Sequence, residues 1–363
     1  MGHNILITGG SGYLGGTLLA EWKNANISGY DKLFAMIRSD EQAEAVKTLY
    51  SAEPVKCSLQ PDDIKRLLLE NQINIVFYLI DAYKAESQVP FIQALSEVKT
   101  QTGQDVHFIY TTGTKHFSDM AGLDANTPLP DTEPSIYDIQ KDQTRKAQQN
   151  SKGSNEALEA CLNTNTRAIE AGEKYGVKVY IFSPCIVYGK GLGFGNKISI
   201  QTVDVVVAFQ AAGHAFQIGR EDQVWPVCHV EDCASLYISI VKAILNGKNP
   251  GHGKNGYYLA SSGPVYWNDI YKAVGKSLKK RNLIADASVV PATDEIIQKA
   301  SEALNVPASF VVVKIGGSSP YVPKHGESIG WRAHYPSGHI LEYLDEEVDF
   351  ILKNVDAKHL RLR

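Results

Sequence analysis

A cluster of glycines directly behind a short apolar run constrains this chain more than any other feature. Ile5–Ile7 predicts a buried strand, and an apolar pattern of helical period begins at Tyr13. Between them, Gly9, Gly12 and Gly15 follow the spacing G-x-x-G-x-x-G. Glycine at these positions allows a tight turn, a close approach of backbone to phosphate, and close packing of helix on sheet. The stretch therefore predicts a strand–turn–helix that binds the pyrophosphate of a dinucleotide at the helix N-terminus.

The end of the next predicted strand, residues 32–37, carries a basic residue where the adenosine ribose is usually read. Arg38 lies about 20 residues beyond the glycine cluster, the distance at which an acid would bind the ribose hydroxyls of NAD. Arginine instead offers a planar set of donors to a 2′-phosphate. Ser39 adds a hydroxyl donor, and the nearest acid, Asp40, comes two residues after Arg38. We expect NADP(H) rather than NAD(H); the alternative is a solvated arginine at a strand end.

Further apolar runs alternate with helical patterns along the chain. They predict strands at residues 55–59, 73–80, 106–110, 177–182 and 256–260. This alternation predicts an α/β fold with a doubly wound parallel sheet, whose ligand lies across the carboxyl ends of the strands. We predict a Rossmann domain over residues 1–188, to which residues 222–262 return. A smaller C-terminal substrate lobe is predicted from residues 189–221 and 263–363. Residues 285–325 fit no motif.

Bulk properties exclude several functional classes. A net charge of −4 and a pI near 6.2 give no reason to expect nucleic acid or an anionic membrane as a partner. No apolar run approaches the roughly 20 residues of a membrane span. The first strand begins too early for a secretory signal, and the five cysteines are scattered, so we expect a cytoplasmic protein with reduced thiols and no metal. The oligomeric state stays open, with a homodimer among the options.

Four motifs now point to a known family. They are Thr8–Gly15 (TGGSGYLG), Tyr110–Thr112 after the fifth strand, Val187–Gly189 after the sixth, and His229–Asp232. Together they resemble the extended short-chain dehydrogenase/reductase family, and the similarity covers residues 3 to about 275. That family includes sugar-nucleotide epimerases, dehydratases and NADP-dependent carbonyl reductases. Within it the chain looks most like fungal nucleoside-diphosphate-sugar epimerase-like and carbonyl reductase proteins.

The resemblance implies a Tyr-x-x-x-Lys pair and a Ser or Thr hydroxyl as the catalytic groups. Tyr137 and Lys141 fit the pair, 25 residues after Thr112. At a spacing of four the two share a helix face, so the ammonium lowers the pKa of the phenol, which can then exchange a proton with the substrate. The family's serine position aligns with Gly113, which leaves Thr112 or Thr114 to hydrogen-bond the substrate oxygen.

A second register of the motif is open. A polar stretch, residues 142–154, follows Lys141, whereas the family's helix runs almost directly into the sixth strand. If the helix over residues 155–174 carries the motif, Ala157 and Cys161 occupy its two positions, and neither Tyr nor Lys is present. The alternative for Tyr137 and Lys141 is then a surface location on a diverged insert.

The resemblance also implies the remaining binding residues. Predicted cofactor contacts are Thr8, Gly9, Gly12, Tyr13, Leu14, Gly15, Arg38, Ser39, Ser58, Leu59, Ile80, Asp81, Ala82, Thr111, Lys141, Ser183, Pro184 and Ile186. Predicted substrate contacts are Cys185, Phe194, Gln201, Arg220 and Trp225. Glycine density rises over residues 189–195, which suits either a mobile loop over the cleft or a plain linker.

These observations predict an NADP(H)-dependent oxidoreductase that reduces a ketone or aldehyde, or catalyses the reverse oxidation. The mixed aromatic and apolar lining suits a small carbonyl or alcohol substrate. One alternative is a sugar-nucleotide epimerase or dehydratase that retains bound NAD, against which Arg38 argues. The other is a non-catalytic NADP(H)-sensing regulator, which the uncertain register of the Tyr–Lys motif leaves open.

Overall fold

A central sheet of seven parallel strands organises the protein. The computed structural model describes residues 2–82, 86–149 and 162–355. The strands are β1 (His3–Ile7), β2 (Tyr30–Met36), β3 (Glu53–Val55), β4 (Ile73–Tyr78), β5 (His107–Thr111), β6 (Leu129–Pro130), β7 (Lys178–Pro184), β8 (Ile186–Tyr188), β9 (Ala215–Gln217), β10 (Val224–His229), β11 (Tyr257–Ala260), β12 (Gly263–Tyr266), β13 (Val289–Pro291) and β14 (Tyr321–Val322). The main sheet has the order β11-β7-β5-β4-β1-β2-β3.

Helices separate the strands and complete an α/β fold. They are α1 (Tyr13–Asn24), α2 (Asp40–Tyr50), α3 (Pro61–Glu70), α4 (Gln88–Thr102), α5 (Ile136–Gln149), α6 (Thr164–Tyr175), α7 (Gln201–Ala212), α8 (Val230–Leu245), α9 (Trp267–Lys280), α10 (Asp294–Leu304), α11 (Val311–Ile315), α12 (His325–Ser328) and α13 (His339–Asn354). Helix α1 packs beside α8, while α4 packs between α3 and α6. The predicted doubly wound parallel sheet is confirmed.

The order of the strands locates the ligand cleft. The chain moves outward from β1 to β2 and β3, then returns to β4 on the other side of β1. In doubly wound sheets the ligand binds at such a reversal, beyond the carboxyl ends of the strands. The hydroxyl of Thr8, after β1, accepts a hydrogen bond of 2.8 Å from the backbone N–H of Leu79, after β4. This bond joins the two strand ends that border the cleft.

The third strand is shorter than predicted. Residues 55–59 were expected to be extended, but β3 ends at Val55. Leu59 has a φ of +63°, a left-handed conformation outside the β region. The apolar composition of the segment reflects partial burial of Cys57 and Leu59 against the main core rather than pairing in the sheet.

A second hydrophobic cluster lies outside the main sheet. It contains side chains of α7, α9, α10 and α13, with Phe209, Tyr271 and Leu344 among those that are fully buried. Residues 285–325, which fit no motif, contribute α10 and α11 to this cluster. Tyr321 and Trp331 pack in the core of the main sheet, within a range, 263–363, that the sequence assigned mainly to the substrate lobe.

Candidate functional site

The glycine loop has the geometry of a phosphate-binding turn. Gly9 has a φ of +66°, and its carbonyl accepts a 2.8 Å hydrogen bond from the N–H of Gly12. A Cβ at Gly9 would lie 2.9 Å from the carbonyl oxygen of Leu79, and one at Gly15 would collide with the Gly9 carbonyl. Helix α1 begins at Tyr13 without a side-chain cap, so the donors of its first turn are not occupied by one. The residues present therefore fit a dinucleotide pyrophosphate.

Three threonines, Thr111, Thr112 and Thr114, lie at the end of β5 and directly after it, and their hydroxyls have different partners. The Thr111 hydroxyl lies 2.5 Å from that of Tyr237, and the Thr114 hydroxyl donates to the carbonyl of Pro184 at 2.9 Å. The Thr112 hydroxyl lies 3.3 Å from Nε2 of His116. The Thr111 and Thr114 hydroxyls are thus bonded to a phenol and a backbone carbonyl, whereas the Thr112 hydroxyl is bonded to an imidazole.

His116 is a buried base beside this hydroxyl. Burial lowers the pKa of His116 to about 4, so the imidazole is neutral at pH 7. Among the contacts of the described chain, its Nδ1 has no hydrogen-bond partner. A bare acceptor is less costly to bury there than an N–H, which favours the tautomer that carries its proton on Nε2 and donates it to Thr112. The closeness of His116 to Thr112, four residues earlier, is the signal in the sequence that this side chain can line the same cavity as Thr112, although a single histidine is more often structural.

A cavity of about 380 Å³ joins the glycine loop to these threonines. Of the predicted residues, it is lined by Gly9, Gly12, Tyr13, Leu14, Gly15, Ala82, Thr111, Thr112, Thr114, Pro184, Cys185, Gln201 and Trp225. The structure therefore brings most of the predicted cofactor loop and three of the five predicted substrate residues to one cavity. Its volume lies within the range of small-molecule sites.

The predicted Tyr137–Lys141 pair does not line this cavity. Both side chains bind one carboxylate: the Tyr137 hydroxyl donates to Oε1 of Glu170 at 2.9 Å, and the Lys141 ammonium lies 2.7 Å from the same oxygen. Burial and Glu170 together raise the pKa of Tyr137, the opposite of what a general acid near pH 7 needs. The expected lowering by Lys141 fails because Glu170 lies between the two groups as their shared partner. Ala157 and Cys161, the alternative register, lie outside the described residues.

Other predicted residues also lie away from the cavity lining. Phe194 packs near Tyr50, with 6.2 Å between ring centres, and Arg220 is exposed and pairs with Asp222 at 2.9 Å. Both were predicted as substrate contacts, and neither lines this cavity. The cavity lining also does not include Thr8, Ile80, Asp81, Ser183 and Ile186. Thr8, directly after β1, and Ser183, within β7, are fully buried.

The predicted ribose-binding residues lie at the end of β2. Arg38 is exposed, and its backbone N–H donates to Oε1 of Gln42 at 2.8 Å. The Ser39 hydroxyl accepts from the N–H of Gln42 at 3.2 Å and so caps α2. Ser58 donates to Asp63 across the next turn. The Arg38 side chain can therefore meet a phosphate from solvent, while the Ser39 oxygen is already used as an acceptor.

Several residues that line the 380 Å³ cavity were not predicted from the sequence, because they come from distant parts of the chain. Asp204 and Lys314 form an ion pair of 3.3 Å at the cavity, and the Lys115 ammonium lies 5.8 Å from the centre of the Trp225 ring. Asn196, Ile200, Phe310 and Val313 complete this side. Helix α11 carries Val313 and Lys314, so the region without a recognisable motif forms a wall of the cavity.

Sequence comparison agrees with this geometry. Residues 5–254 match the NAD dependent epimerase/dehydratase family, which covers more than half of the chain. The chain belongs to this family. As a family member it is an NAD(P)-dependent enzyme of the extended short-chain dehydrogenase/reductase class, as the motifs of the glycine loop and the strand ends predicted. No curated protein sequence is significantly similar to it.

Solved structures of family members share the fold at low sequence identity. UDP-glucose 4-epimerase from Thermotoga maritima is 14% identical with a TM-score of 0.59, over 97% of this chain and 100% of that one. Vestitone reductase from alfalfa is 19% identical with a TM-score of 0.58, over 96% and 98%. A dTDP-glucose 4,6-dehydratase from Bacillus anthracis, solved with NAD, is 12% identical with a TM-score of 0.59, over 99% of both chains. This family member therefore shares its architecture with both epimerases and reductases.

Within the described part of the chain, no helix is both long and apolar enough to cross a bilayer.

Proposed function

We propose that this family member is an NADP(H)-dependent oxidoreductase that interconverts a small carbonyl compound and its alcohol. The observation that carries the proposal is the single cavity that contains both the glycine loop and the Thr112–His116 pair. The backbone of residues 9–15 would hold the pyrophosphate. The nicotinamide, when bound, supplies or accepts the hydride. Thr112, Cys185 and Trp225 would then surround the reacting carbonyl.

The Thr112 hydroxyl would hold the substrate oxygen. In the tautomer with its proton on Nε2, neutral His116 would donate a hydrogen bond to the Thr112 oxygen, and the hydroxyl proton would then be free to donate to the substrate. A donor fixed before the reaction stabilises the negative charge that develops on the carbonyl oxygen. Thr114 is less suited to this role because its proton is already donated to Pro184. The proposal does not rely on Tyr137, whose hydroxyl donates to Glu170.

Arg38 would select the cofactor. Its side chain is exposed at the end of β2, and none of the ion pairs within the described residues involves it. An unpaired guanidinium can form two parallel hydrogen bonds with a 2′-phosphate without first losing a carboxylate partner. Asp40, the nearest acid, is held by Lys56 at 2.7 Å and so does not compete for Arg38.

A cofactor titration tests this selection. NADPH and NADH are titrated against wild-type protein, Arg38→Ala and the control Arg145→Ala, an exposed arginine on α5. We expect wild type to prefer NADPH, and Arg38→Ala to lose about tenfold or more in NADPH affinity with NADH affinity unchanged. Equal affinities of wild type for both cofactors would reject Arg38 as the selector.

Turnover tests the chemistry. A panel of ketones and aldehydes, with UDP-glucose included because Lys115 and Lys314 line the cavity, is screened for NADPH oxidation and for epimerisation. With any substrate found, Thr112→Val should lower kcat by about 10²-fold, and Thr112→Ser should restore most of it. Full activity of Thr112→Val would reject the proposed role of the hydroxyl.

A second candidate is a protein that binds NADP(H) without turnover. The observation that favours it is the location of Tyr137 and Lys141 on Glu170 rather than at the cavity. Such a protein would bind NADPH with the same dependence on Arg38 but would consume none with any member of the panel. Turnover that depends on Thr112 would exclude it.

A further inference from the structure

A second cavity, of about 540 Å³, lies beside the first and is formed by different side chains. Four aromatic side chains line it: His229, Tyr335, His339 and Tyr343. Lys190, Lys197 and Glu231 supply the charged groups of its lining. Its volume lies within the range of sites for small organic ligands.

The aromatic side chains form one contiguous cluster whose rings are tilted against one another, by 38° between His229 and Tyr335 and by 43° between Tyr335 and His339. The ring centres of His229 and Tyr335 are 4.0 Å apart, those of Tyr335 and His339 4.9 Å apart, and His339 stacks on Tyr343 with 17° between the ring planes. Burial lowers the pKa of His229 to about 4, so this imidazole adds no charge at pH 7. Aromatic side chains bind an aromatic ring through stacking and edge contacts.

The charges of the lining favour an anion. Within the described chain, neither Lys190 nor Lys197 forms an ion pair with a carboxylate, and Lys190 lies 5.4 Å from the centre of the Phe350 ring. Glu231 is the one acid of the lining, and a hydrogen bond with the Tyr335 side chain occupies it. Two lysines and one hydrogen-bonded carboxylate give the cavity lining a net positive charge beside the aromatic cluster.

One segment of the chain, residues 189–199, connects this cavity to the glycine loop. Four of its residues line the second cavity, while Asn196 lines the first. The Gly189 carbonyl accepts a 2.6 Å hydrogen bond from the Tyr13 hydroxyl, and the Asn196 N–H donates to the Ser11 carbonyl at 2.9 Å. Between them, a Cβ at Gly193 would lie 2.6 Å from Cα of Gly16. The segment is therefore in direct contact with the glycine loop and the first turn of α1.

We propose that the second cavity binds a flat aromatic anion, such as an aromatic carboxylate, and that its occupancy changes the affinity of the glycine loop for NADP(H). The ring lies on the aromatic cluster and the anionic group meets Lys190 and Lys197. Because residues 189–199 contact both sites, a ligand that shifts them alters the loop that holds the pyrophosphate, and coupling between two sites is reciprocal. The coupling rests on the proposed function; binding in the second cavity does not.

Direct binding is measured first, by calorimetry with 2-naphthoate as the probe and 2-naphthalenemethanol as its uncharged counterpart. The test variant is Lys190→Met/Lys197→Met, and the matched control is Lys65→Met/Lys272→Met, two exposed lysines on outer helices. We expect 2-naphthoate to bind wild type and the control at least about tenfold more tightly than the test variant. Equal affinity of the two double variants, or equal binding of the alcohol, would overturn the proposed site.

Coupling is measured next, as the NADPH dissociation constant with and without saturating 2-naphthoate. We expect a change of about fivefold or more in wild type and none in Lys190→Met/Lys197→Met. An unchanged NADPH affinity in wild type would overturn the coupling. If 2-naphthoate still competes directly with NADPH in Lys190→Met/Lys197→Met, the probe binds in the first cavity, and the proposed site is overturned. Failure of NADPH to bind at all would reject the proposed function together with the coupling, while the calorimetric result on the second cavity would stand.

Discussion

The carboxylate of Glu347 accepts a hydrogen bond from the backbone N–H of Gly189 at 2.8 Å, across 158 residues of sequence. Its other oxygen accepts from the hydroxyls of Ser199 and Thr202 at 2.7 and 2.6 Å. Glu347 is 3% exposed, and burial raises its pKa although these bonds oppose the shift. Glu347, on α13, thus holds both ends of segment 189–199, which contacts the glycine loop.

Removal of this carboxylate should destabilise the protein. Glu347→Ala leaves the buried N–H of Gly189 without an acceptor, and also one of the two hydroxyls, which can otherwise only bond each other at 2.5 Å, so we expect the free energy of unfolding to fall by about 3 kcal/mol. Urea unfolding measures the loss. Glu346→Ala, an exposed neighbour on the same helix, is the control and should change stability by less than about 0.5 kcal/mol. Equal effects of the two variants would contradict the anchoring role.

A methyl group at Gly15 should weaken cofactor binding. The added Cβ would collide with the Gly9 carbonyl and displace the turn that approaches the phosphates. A strain of about 1.4 kcal/mol suffices for a tenfold loss of NADPH affinity, which a fluorescence titration detects. Gly338→Ala is the matched control, because a Cβ at Gly338 meets nothing within 4 Å. Wild-type affinity in Gly15→Ala would show that the loop does not bind the pyrophosphate.

The phenol of Tyr137 should be dispensable for turnover. Its hydroxyl donates to Glu170 outside the cavity, so we expect Tyr137→Phe to change kcat by less than about threefold, rather than the ~10²-fold loss of a general acid. The comparison variant is Tyr175→Phe, which removes an exposed phenol bonded to Gln93. A large loss confined to Tyr137→Phe would restore the pair that the sequence spacing suggested.

His116 should make the protein sensitive to acid. Its pKa in the folded state, about 4, lies below the 6.5 of an unperturbed histidine, so the unfolded chain binds the proton more readily. The contribution of unprotonated His116 to the free energy of unfolding is complete above pH 6.5 and is lost as the pH falls toward 4. Wild type should therefore lose stability when the pH is lowered from 7 to 4.5. In His116→Asn the loss of unfolding free energy over the same range should be smaller by roughly 2 kcal/mol. The exposed control His214→Asn should behave like wild type, and an unchanged difference in His116→Asn would refute the assignment.

Local patterns in the sequence were sufficient for the cofactor half of the fold. Gly9, Gly12 and Gly15 behind an apolar strand predicted the turn, and the apolar runs predicted the strands at whose carboxyl ends the cavity lies. These features are local because backbone conformation and burial on both faces of a parallel sheet act on neighbouring residues.

The catalytic and substrate side could not be read in the same way. The spacing of Tyr137 and Lys141 specifies a shared helix face but not what that face meets, and the structure brings Glu170 to it. The contacts Asp204–Lys314 and Thr112–His116 likewise depend on which side chains the fold brings together. The first joins residues that are more than a hundred positions apart in the sequence.

The sequence by itself thus determined the parallel sheet, its glycine loop and the edge at which the cofactor would lie, because each follows from the conformations and burial of consecutive residues. Only the tertiary structure decided which side chains share the cavity, that residues 189–199 contact the glycine loop, and that Glu347 holds that segment. Contacts between distant segments depend on how whole elements pack, and no local pattern encodes the orientation of one element against another.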